Sequence, residues 1–353
     1  MTDSNRSARR PYVGSLKTSE IAVGALAGRS VLITGGTGSF GRTFVSIALT
    51  HANPKRLIVL SRDEVKQAEM AQQLGGDPRL RFFLGDVRDR DRLRRAFRGV
   101  DVVIHAAALK QVPAAEYNPF EFIKTNIIGA EHVVDAALDA GVGKVVALST
   151  DKAANPINLY GASKLCADKL FVAANSYGGG SGTRFTCVRY GNVVGSRGSV
   201  IPFFLERKKT GVLPITHPDM TRFWITLDQG VTLVLATLGW MRGGEIFVPK
   251  LPTMKIVDLA RAIAPECRLE IVGIRPGEKL HEVMVPGDES RNTYEYDTHY
   301  LIAPVFHEWT VHDHAANGGR RVADGFTYAS DTNEHQLTVE ELRDMVGQPV
   351  ASA

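Results

Sequence analysis

A short β-branched run, Val31-Leu32-Ile33-Thr34, stops at Gly35-Gly36-Thr37-Gly38-Ser39-Phe40-Gly41 and is followed by a helix-like segment from Arg42 to Leu49. Strand, glycine turn and helix in that order leave few architectures open. With glycine at 35, 38 and 41, the first permits a tight turn, the second lets backbone amides approach a pyrophosphate, and the third lets helix and strand pack closely. The helix N-terminus then faces the phosphates.

Glycines collect in loops for many reasons, so the next strand is the second test. Arg56 to Leu60 reads as that strand, and Ser61-Arg62-Asp63-Glu64 follows it. A free ribose 2′-hydroxyl favours an acidic residue at the strand end, whereas Ser61 and Arg62, with Lys66 one turn later, suit a 2′-phosphate. NADP is therefore expected, with NAD less favoured; the competing reading makes Arg62 and Lys66 ordinary solvated charges. A third strand, Leu80 to Leu84, ends at Gly85-Asp86-Val87, where Asp86 suits the adenine amino group and Val87 the ring face. The segment from Arg88 to Arg98 interleaves Asp89 and Asp91 among its arginines and reads as a solvated helix face, not a nucleic-acid patch. A fourth strand, Asp101 to His105, runs into Ala106-Ala107-Ala108, small enough for a flat ring to lie against the backbone. Strands alternating with helices predict an α/β, doubly wound parallel sheet with right-handed crossovers.

Length and composition fit this picture. The chain has 353 residues, 44% hydrophobic and 23% charged, enough to bury a sizeable core. A net charge of +4 spread over that length is no nucleic-acid footprint and suits an acidic small molecule. No apolar run approaches the roughly 20 residues of a membrane span. Cys166, Cys187 and Cys267 form no CxxC pair and are expected as buried or idle thiols in a reducing compartment, the cytoplasm. Arg9-Arg10 ahead of Ala22 to Ala27 superficially resembles a twin-arginine leader, but Lys17 and Glu20 interrupt the apolar run, so residues 1–29 are expected as a polar extension. Residues 30–190 read as the dinucleotide-binding domain, 191–345 as mostly a substrate lobe interleaved with the sheet, and 346–353 as a tail.

A fifth strand, Val145 to Leu148, delivers Ser149-Thr150-Asp151-Lys152 to the cofactor edge. Tyr160 and Lys164, at i and i+4 of Tyr160-Gly161-Ala162-Ser163-Lys164, share a helix face. The lysine ammonium there is expected to lower the phenol pKa and touch the nicotinamide ribose, leaving a tyrosinate to take a proton from a sugar hydroxyl. Such spacing is common by chance; its company gives it meaning. Glycine turn, phosphate-reading strand end, alanine run, fifth strand and YxxxK follow the order of an extended short-chain dehydrogenase/reductase, which the chain resembles from about residue 30 to about residue 345.

Within that superfamily the fifth strand ends in small hydroxyl residues in sugar-nucleotide epimerases and in Asp-Glu in dTDP-glucose dehydratases. Here the pair is Asp151-Lys152. An acid beside a base is what β-elimination needs: Lys152 to take the C5 proton made acidic by a C4 ketone, Asp151 to protonate the departing C6 hydroxyl. For that role the Lys152 pKa must fall, which burial or the oxidised nicotinamide nearby would favour. The string from Leu148 to Lys164, together with Ser61 to Glu64, Ala107 to Pro113 and Arg189 to Val200, resembles the soluble, C5-inverting UDP-N-acetylglucosamine 4,6-dehydratases. Membrane-bound retaining relatives typically carry methionine where Tyr160 stands.

The resemblance implies a carbon–oxygen lyase with NADP as internal redox cofactor. NADP would be held by Gly38, Ser39, Phe40 and Gly41 with Gly35, by Arg62 to Lys66, and by Asp86, Val87, Ala106, Lys110, Tyr160 and Lys164. Val193, Val194, Gly195, Ser196 and Arg197 complete that set. Lys110 and Asn192 would also reach the substrate, beside Ser149, Thr150, Val200 and Thr216, and Thr150 joins the catalytic group. The implied reaction moves hydride from C4 to the nicotinamide, loses water across C5 and C6, returns hydride to C6 and reprotonates C5 from the opposite face, giving the L-arabino 4-keto sugar. Lys152 and Tyr160 are both candidates for the last protonation. A homo-oligomer is implied as well.

After about residue 190 the alternation loosens, and Pro202, Pro214, Pro218, Pro249, Pro252 and Pro276 punctuate a lobe. Arg222 or Arg275 is expected on the UDP pyrophosphate and Glu278 on the uridine ribose, since a guanidinium fork matches phosphate oxygens and a carboxylate accepts from two hydroxyls. Tyr328 and Asn333 are weaker candidates whose spacing compels nothing. His307-Glu308 with His312 is one residue too long for HExxH, and no catalytic metal is expected. The alternatives left open are a 5,6-dehydratase that releases an alkene, a 4-epimerase, and a non-catalytic NADP-sensing protein; proteins of that last kind tend to lose Tyr or Lys of YxxxK, and both are present here.

Overall fold

The computed structural model describes residues 12–178, 182–194, 199–305 and 314–347. In the first half, strands β1 (Ser30–Thr34), β2 (Arg56–Ser61), β3 (Leu80–Leu84), β4 (Val102–His105), β5 (Lys144–Thr150) and β6 (Arg184–Tyr190) alternate with helices. The helices are α1 (Thr18–Leu26), α2 (Ser39–Ile47), α3 (Glu64–Gln73), α4 (Arg90–Ala96), α5 (Val112–Tyr117), α6 (Pro119–Phe122), α7 (Gly129–Ala140) and α8 (Leu159–Ala173). The second half adds β7 (Asn192–Val193), β8 (Val212–Ile215), β9 (Thr221–Ile225), β10 (Ile246–Pro249), β11 (Thr253–Lys255), β12 (Arg268–Ile271), β13 (Val283–Val285), β14 (Thr293–Glu295), β15 (His299–Ile302), β16 (Arg320–Arg321) and β17 (Tyr328–Ala329). Its helices are α9 (Val200–Arg207), α10 (Leu227–Trp240), α11 (Ile256–Ile263) and α12 (Val339–Gly347).

The main sheet runs β16-β14-β15-β10-β6-β5-β4-β1-β2-β3. From β3 to β10 all neighbours are parallel, and β15, β14 and β16 extend it antiparallel. The sheet is doubly wound, as expected. Every residue of β1 and β4 is buried, and both strands are rich in Val and Ile, as parallel strands covered on two faces must be. β3 lies at the edge, where Leu84 is half exposed. Local signals fix the helix starts: Asp63, Asp89 and Asn158 cap α3, α4 and α8 through their side chains, and Thr226 with Gln229 forms a capping box on α10. Chain order reverses at β1, whose neighbours are β2 and β4, and a crevice opens there beyond the carboxyl ends.

The stretch before β1 departs from a mere polar extension. α1 packs on α10, with Ala22 and Leu26 fully buried and the Thr18 hydroxyl 2.7 Å from that of Thr232. Burial of its alanine and leucine face, not its weak local pattern, makes this helix. A second core under α9, α11 and α12 gathers Phe204, Trp224, Leu259 and Leu342, and the small sheet β11-β9-β7 and the pair β12-β8 belong to that lobe. Cys187 and Cys267 are buried, whereas Cys166 is exposed. No helix among the described residues is long and apolar enough to cross a membrane.

Candidate active site

A cleft of about 1250 Å³ runs from the Gly35–Gly41 turn, past the ends of β4 and β5, to the lobe. That exceeds the roughly 300–1,000 Å³ of a single ligand pocket and leaves room for two molecules end to end.

Backbone shapes its first end. Gly35 has φ +67°, and a Cβ there would come within 2.9 Å of the Ala107 backbone, so only glycine lets the turn lie against the alanine run. A Cβ on Gly41 would overlap the Gly36 carbonyl, which is why α2 sits directly on the turn; its N-terminus begins at Ser39, three residues earlier than the sequence pattern suggests. The Thr34 hydroxyl bonds His105 Nδ1 at 2.9 Å and accepts from the amides of Ala106 and Ala107, fastening β1 to β4. Burial drops the His105 pKa to about 3, so the ring is neutral.

Ser61, Arg62, Asp63, Lys66, Asp86 and Val87 line the rim at the ends of β2 and β3. Asp63 caps α3 through the Lys66 amide and pairs with Lys66 Nζ at 2.5 Å, while Asp86 is gripped by Arg88 at 2.8 Å and lies 3.8 Å from Arg62. Arg62 remains more than half exposed. Glu64 is exposed and does not line the cleft, because as the first residue of α3 it points to solvent while its neighbour Asp63 does the capping. Val193 and Val194 line the cleft; Gly195, Ser196 and Arg197 lie outside the described residues, as do His307, Glu308 and His312.

At the middle of the cleft stand Ala106, Ala107, Ala108, Lys110, Ser149, Thr150, Lys152, Tyr160 and Lys164. Strand β5 extends through Thr150, further than its apolar run, and so carries both hydroxyls to the edge. Thr150 Oγ1 donates to Asp151 Oδ1 at 2.9 Å and caps the turn that follows. Asp151 is fully buried behind the cleft wall and its Oδ2 has no hydrogen-bond partner. Lys152 Nζ lies 3.0 Å from Asp151 Oδ1, 3.3 Å from Asn192 Oδ1 and 3.4 Å from Glu282 Oε1. A Cβ on Gly161 would collide with the Lys152 carbonyl, so the glycine after Tyr160 lets α8 rest on this turn.

Two electrostatic expectations are corrected here. Burial pulls the Lys152 pKa down, but the carboxylates of Asp151 and Glu282 outweigh it and raise it well above the ordinary lysine value. The lysine therefore rests as an ammonium. Tyr160 is raised as well: burial pushes it up, against the Lys152 charge and the Thr150 hydroxyl. Lys164 Nζ donates to the Leu148 carbonyl at 2.7 Å, and burial lowers its own pKa. Beneath it, Asp168 accepts from Ser149 at 2.7 Å and sits 3.7 Å from Arg189, which reaches Glu289 at 2.7 Å.

Asn192, Val200, Thr216, Arg222, Arg275 and Glu278 line the lobe end. Arg222 is buried and donates to the carbonyls of Thr221, Lys279 and Leu280, whereas Arg275 is largely exposed and paired with Glu278 at 2.5 Å. Tyr328 and Asn333 lie off the cleft, both bonded to Leu251. Sequence reasoning passed over Glu282 and Asp168; it noted Lys279 within the polar cluster Arg275 to Lys279, and Arg189 at the head of a family-like string, without giving either a role. Glu282 stands three residues after Lys279 beside the Arg275–Lys279 cluster, a weak signal; nothing in spacing connects it with Lys152.

Glycine turn, switch-point crevice and a Tyr160/Lys164 helix face define an extended short-chain dehydrogenase/reductase built for a dinucleotide and a second ligand. Residues 31–304 match the polysaccharide biosynthesis protein family, to which the chain belongs. A UDP-N-acetylglucosamine 4,6-dehydratase (inverting) from Campylobacter jejuni is 54% identical over 325 residues, 90% of this chain and 97% of the relative. A UDP-glucose 4-epimerase from Rickettsia canadensis is 39% identical over 326 residues, 90% of this chain and 95% of its own. Among solved structures, Pen from Bacillus thuringiensis superposes with TM-score 0.82 at 36% identity, covering 91% of this chain and 99% of that one. DesIV, a dTDP-glucose 4,6-dehydratase from Streptomyces venezuelae solved with NAD, gives 0.63 at 28% identity over 71% of this chain and 86% of that one.

Proposed function

We propose that this protein is an inverting UDP-N-acetylglucosamine 4,6-dehydratase that yields UDP-2-acetamido-2,6-dideoxy-β-L-arabino-hex-4-ulose. The observation that carries this is the Asp151–Lys152 pair, 3.0 Å apart at the end of β5 and beside Tyr160. The 54% identity to the Campylobacter jejuni dehydratase supports it over most of both chains.

The crevice fits a nicotinamide dinucleotide: the backbone of Gly35 and Ala107 leaves a flat approach, and Gly38 ends at the start of α2. Arg62 and Lys66 favour NADP, by offering cations where a 2′-phosphate would lie. When bound, the cofactor would accept hydride from sugar C4 and give it back at C6. The side chains do the rest. Tyr160 takes the O4 proton as its phenolate, a form the Lys152 charge favours and burial opposes, after its own phenol proton has left to solvent through the cleft that it lines. Passing one proton from Lys152 Nζ to Asp151 Oδ1 turns the resting ion pair into an amine and a carboxylic acid, the two forms that elimination needs, without drawing on solvent. Lys152, which lines the cleft, takes the C5 proton, while Asp151, buried behind the wall, reaches the leaving C6 hydroxyl through Thr150: Asp151 gives its proton to Thr150 Oγ1 as Thr150 gives its own to the leaving oxygen. If Tyr160 returns its proton to C5, Lys152 and Asp151 end in the charge states in which they began.

At the lobe end, Arg275 suits the pyrophosphate better than Arg222, whose guanidinium three carbonyls already engage, and Glu278 suits the ribose. Free thiols fit a reducing cytoplasm. Homo-oligomer formation follows from the family likeness. A 4-epimerase needs the tyrosine but neither Asp151 nor Lys152. Incubation with UDP-N-acetylglucosamine in deuterated water, followed by NMR, is expected to show a 4-keto-6-deoxy product with deuterium at C5; a 4-epimer, an exocyclic alkene or unchanged substrate overturns the proposal.

A further inference from the structure

Glu282 immediately precedes β13 and is 2% exposed. Its backbone is pinned by Ser330, which accepts from the Glu282 amide and donates its own amide to the Glu282 carbonyl, both at 2.8 Å. The buried side chain faces cations. Oε1 lies 3.4 Å from Lys152 Nζ and 3.8 Å from Arg222 Nε, and Oε2, without a hydrogen-bond partner, lies 4.0 Å from Lys279 Nζ. A buried carboxylate is costly unless cations surround it, and here they do.

The same segment crosses to the catalytic turn twice more. Asn158 Nδ2 donates to the Gly277 carbonyl at 2.8 Å, and Lys279 Nζ to the Ala154 carbonyl at 2.5 Å. Residues 275–282, which carry Arg275 and Glu278 into the cleft, are thus fastened to residues 152–158 at three points, and the charged one is Lys152–Glu282.

We propose that Glu282 is a positioning residue: from the lobe it holds the Lys152 ammonium against Asp151 and ties the reacting end of the cleft to the segment that carries Arg275 and Glu278. This rests on the dehydratase reading for its catalytic consequence, though not for the contact itself. The charged and titratable groups facing Lys152 are the anions Asp151 and Glu282, the cations Arg222, Lys110 and Lys279, and the phenol of Tyr160. Replacing Glu282 by its neutral isostere leaves the cations and removes one of two anions, so Lys152 must lose its proton more readily.

The test uses the whole protein. Trinitrobenzenesulfonate reacts only with neutral amines, and peptide mass mapping reads the modification at Lys152 in the free protein from neutral to alkaline pH. In Glu282→Gln the onset at Lys152 is expected to move down by about one pH unit or more, a tenfold change in neutral amine at a given pH. Turnover should fall at least about tenfold with KM within a few-fold, and Glu282→Asp should restore much of both. An unmoved onset, or unchanged kcat, overturns the proposal. Asp151→Asn gives the reciprocal reading should the glutamine variant not fold: with Glu282 as the remaining anion, Lys152 should still label later than the exposed lysines, and labelling alongside them overturns the idea. Failure of the wild type to dehydrate UDP-N-acetylglucosamine would remove the proposed reaction while leaving the labelling result to stand or fall by itself.

Discussion

The two ends of the cleft hold their charges in opposite ways. At the rim, Arg62 is more than half exposed and only loosely paired with Asp86, and Lys66, though closely paired with Asp63, is also exposed, so solvent screens both and an arriving phosphate can compete for them at small cost. At the reacting end, Asp151 and Glu282 are buried around Lys152 with Arg222, and beneath the tyrosine helix Asp168 and Arg189 form a second buried group with Glu289. Charges there are expensive to bury and cannot be screened, so their arrangement is set before any ligand arrives. The first arrangement suits binding of a charged ligand; the second suits proton transfer.

Three substitutions would break or sharpen that contrast, in decreasing order of effect. Lys152→Ala is expected to lower turnover by about 10²–10⁴, the usual worth of a general acid–base group, while nucleotide binding measured by calorimetry is kept because the rim is untouched. Unaltered turnover would remove Lys152 from the mechanism. Arg189→Ala leaves Asp168 and Glu289 without their guanidinium, and a loss of about 3–5 kcal/mol in denaturant unfolding is expected; a loss below about 1 kcal/mol would show the network to be far better solvated than its burial implies. Arg62→Ala should change stability by no more than about 0.5 kcal/mol. Its expected effect is on binding, with NADP weakened about tenfold and NAD hardly at all, the difference shrinking as salt rises. Equal weakening of both dinucleotides would assign Arg62 to the shared pyrophosphate or to no ligand.

Much of the nucleotide end was legible because local constraints act within a few residues. A glycine that must adopt φ +67° and a strand buried on both faces each leave a mark in the nearby sequence. The misses have the same origin seen from the other side. α1 carries little amphipathic signal and exists because α10 covers it. Glu64 looked like part of a phosphate-reading run, yet the start of α3 turns it to solvent. The Lys152 pKa was expected to fall through burial or a nearby oxidised nicotinamide; burial does lower it, but two carboxylates outweigh that, one of them from a segment far along the chain.

What the sequence determined by itself was the doubly wound sheet and the glycine turn at its switch point, and it offered Asp151, Lys152 and Tyr160 as candidates, since each depends on period, turn chemistry or neighbouring residues. Tertiary structure alone decided which of those groups touch and in what charge state. Lys152 meets Glu282, Asn158 meets Gly277 and Ser149 meets Asp168 through packing of distant segments. Electrostatic energy falls off with distance in space and depends on burial, and neither quantity is written in the order of the residues.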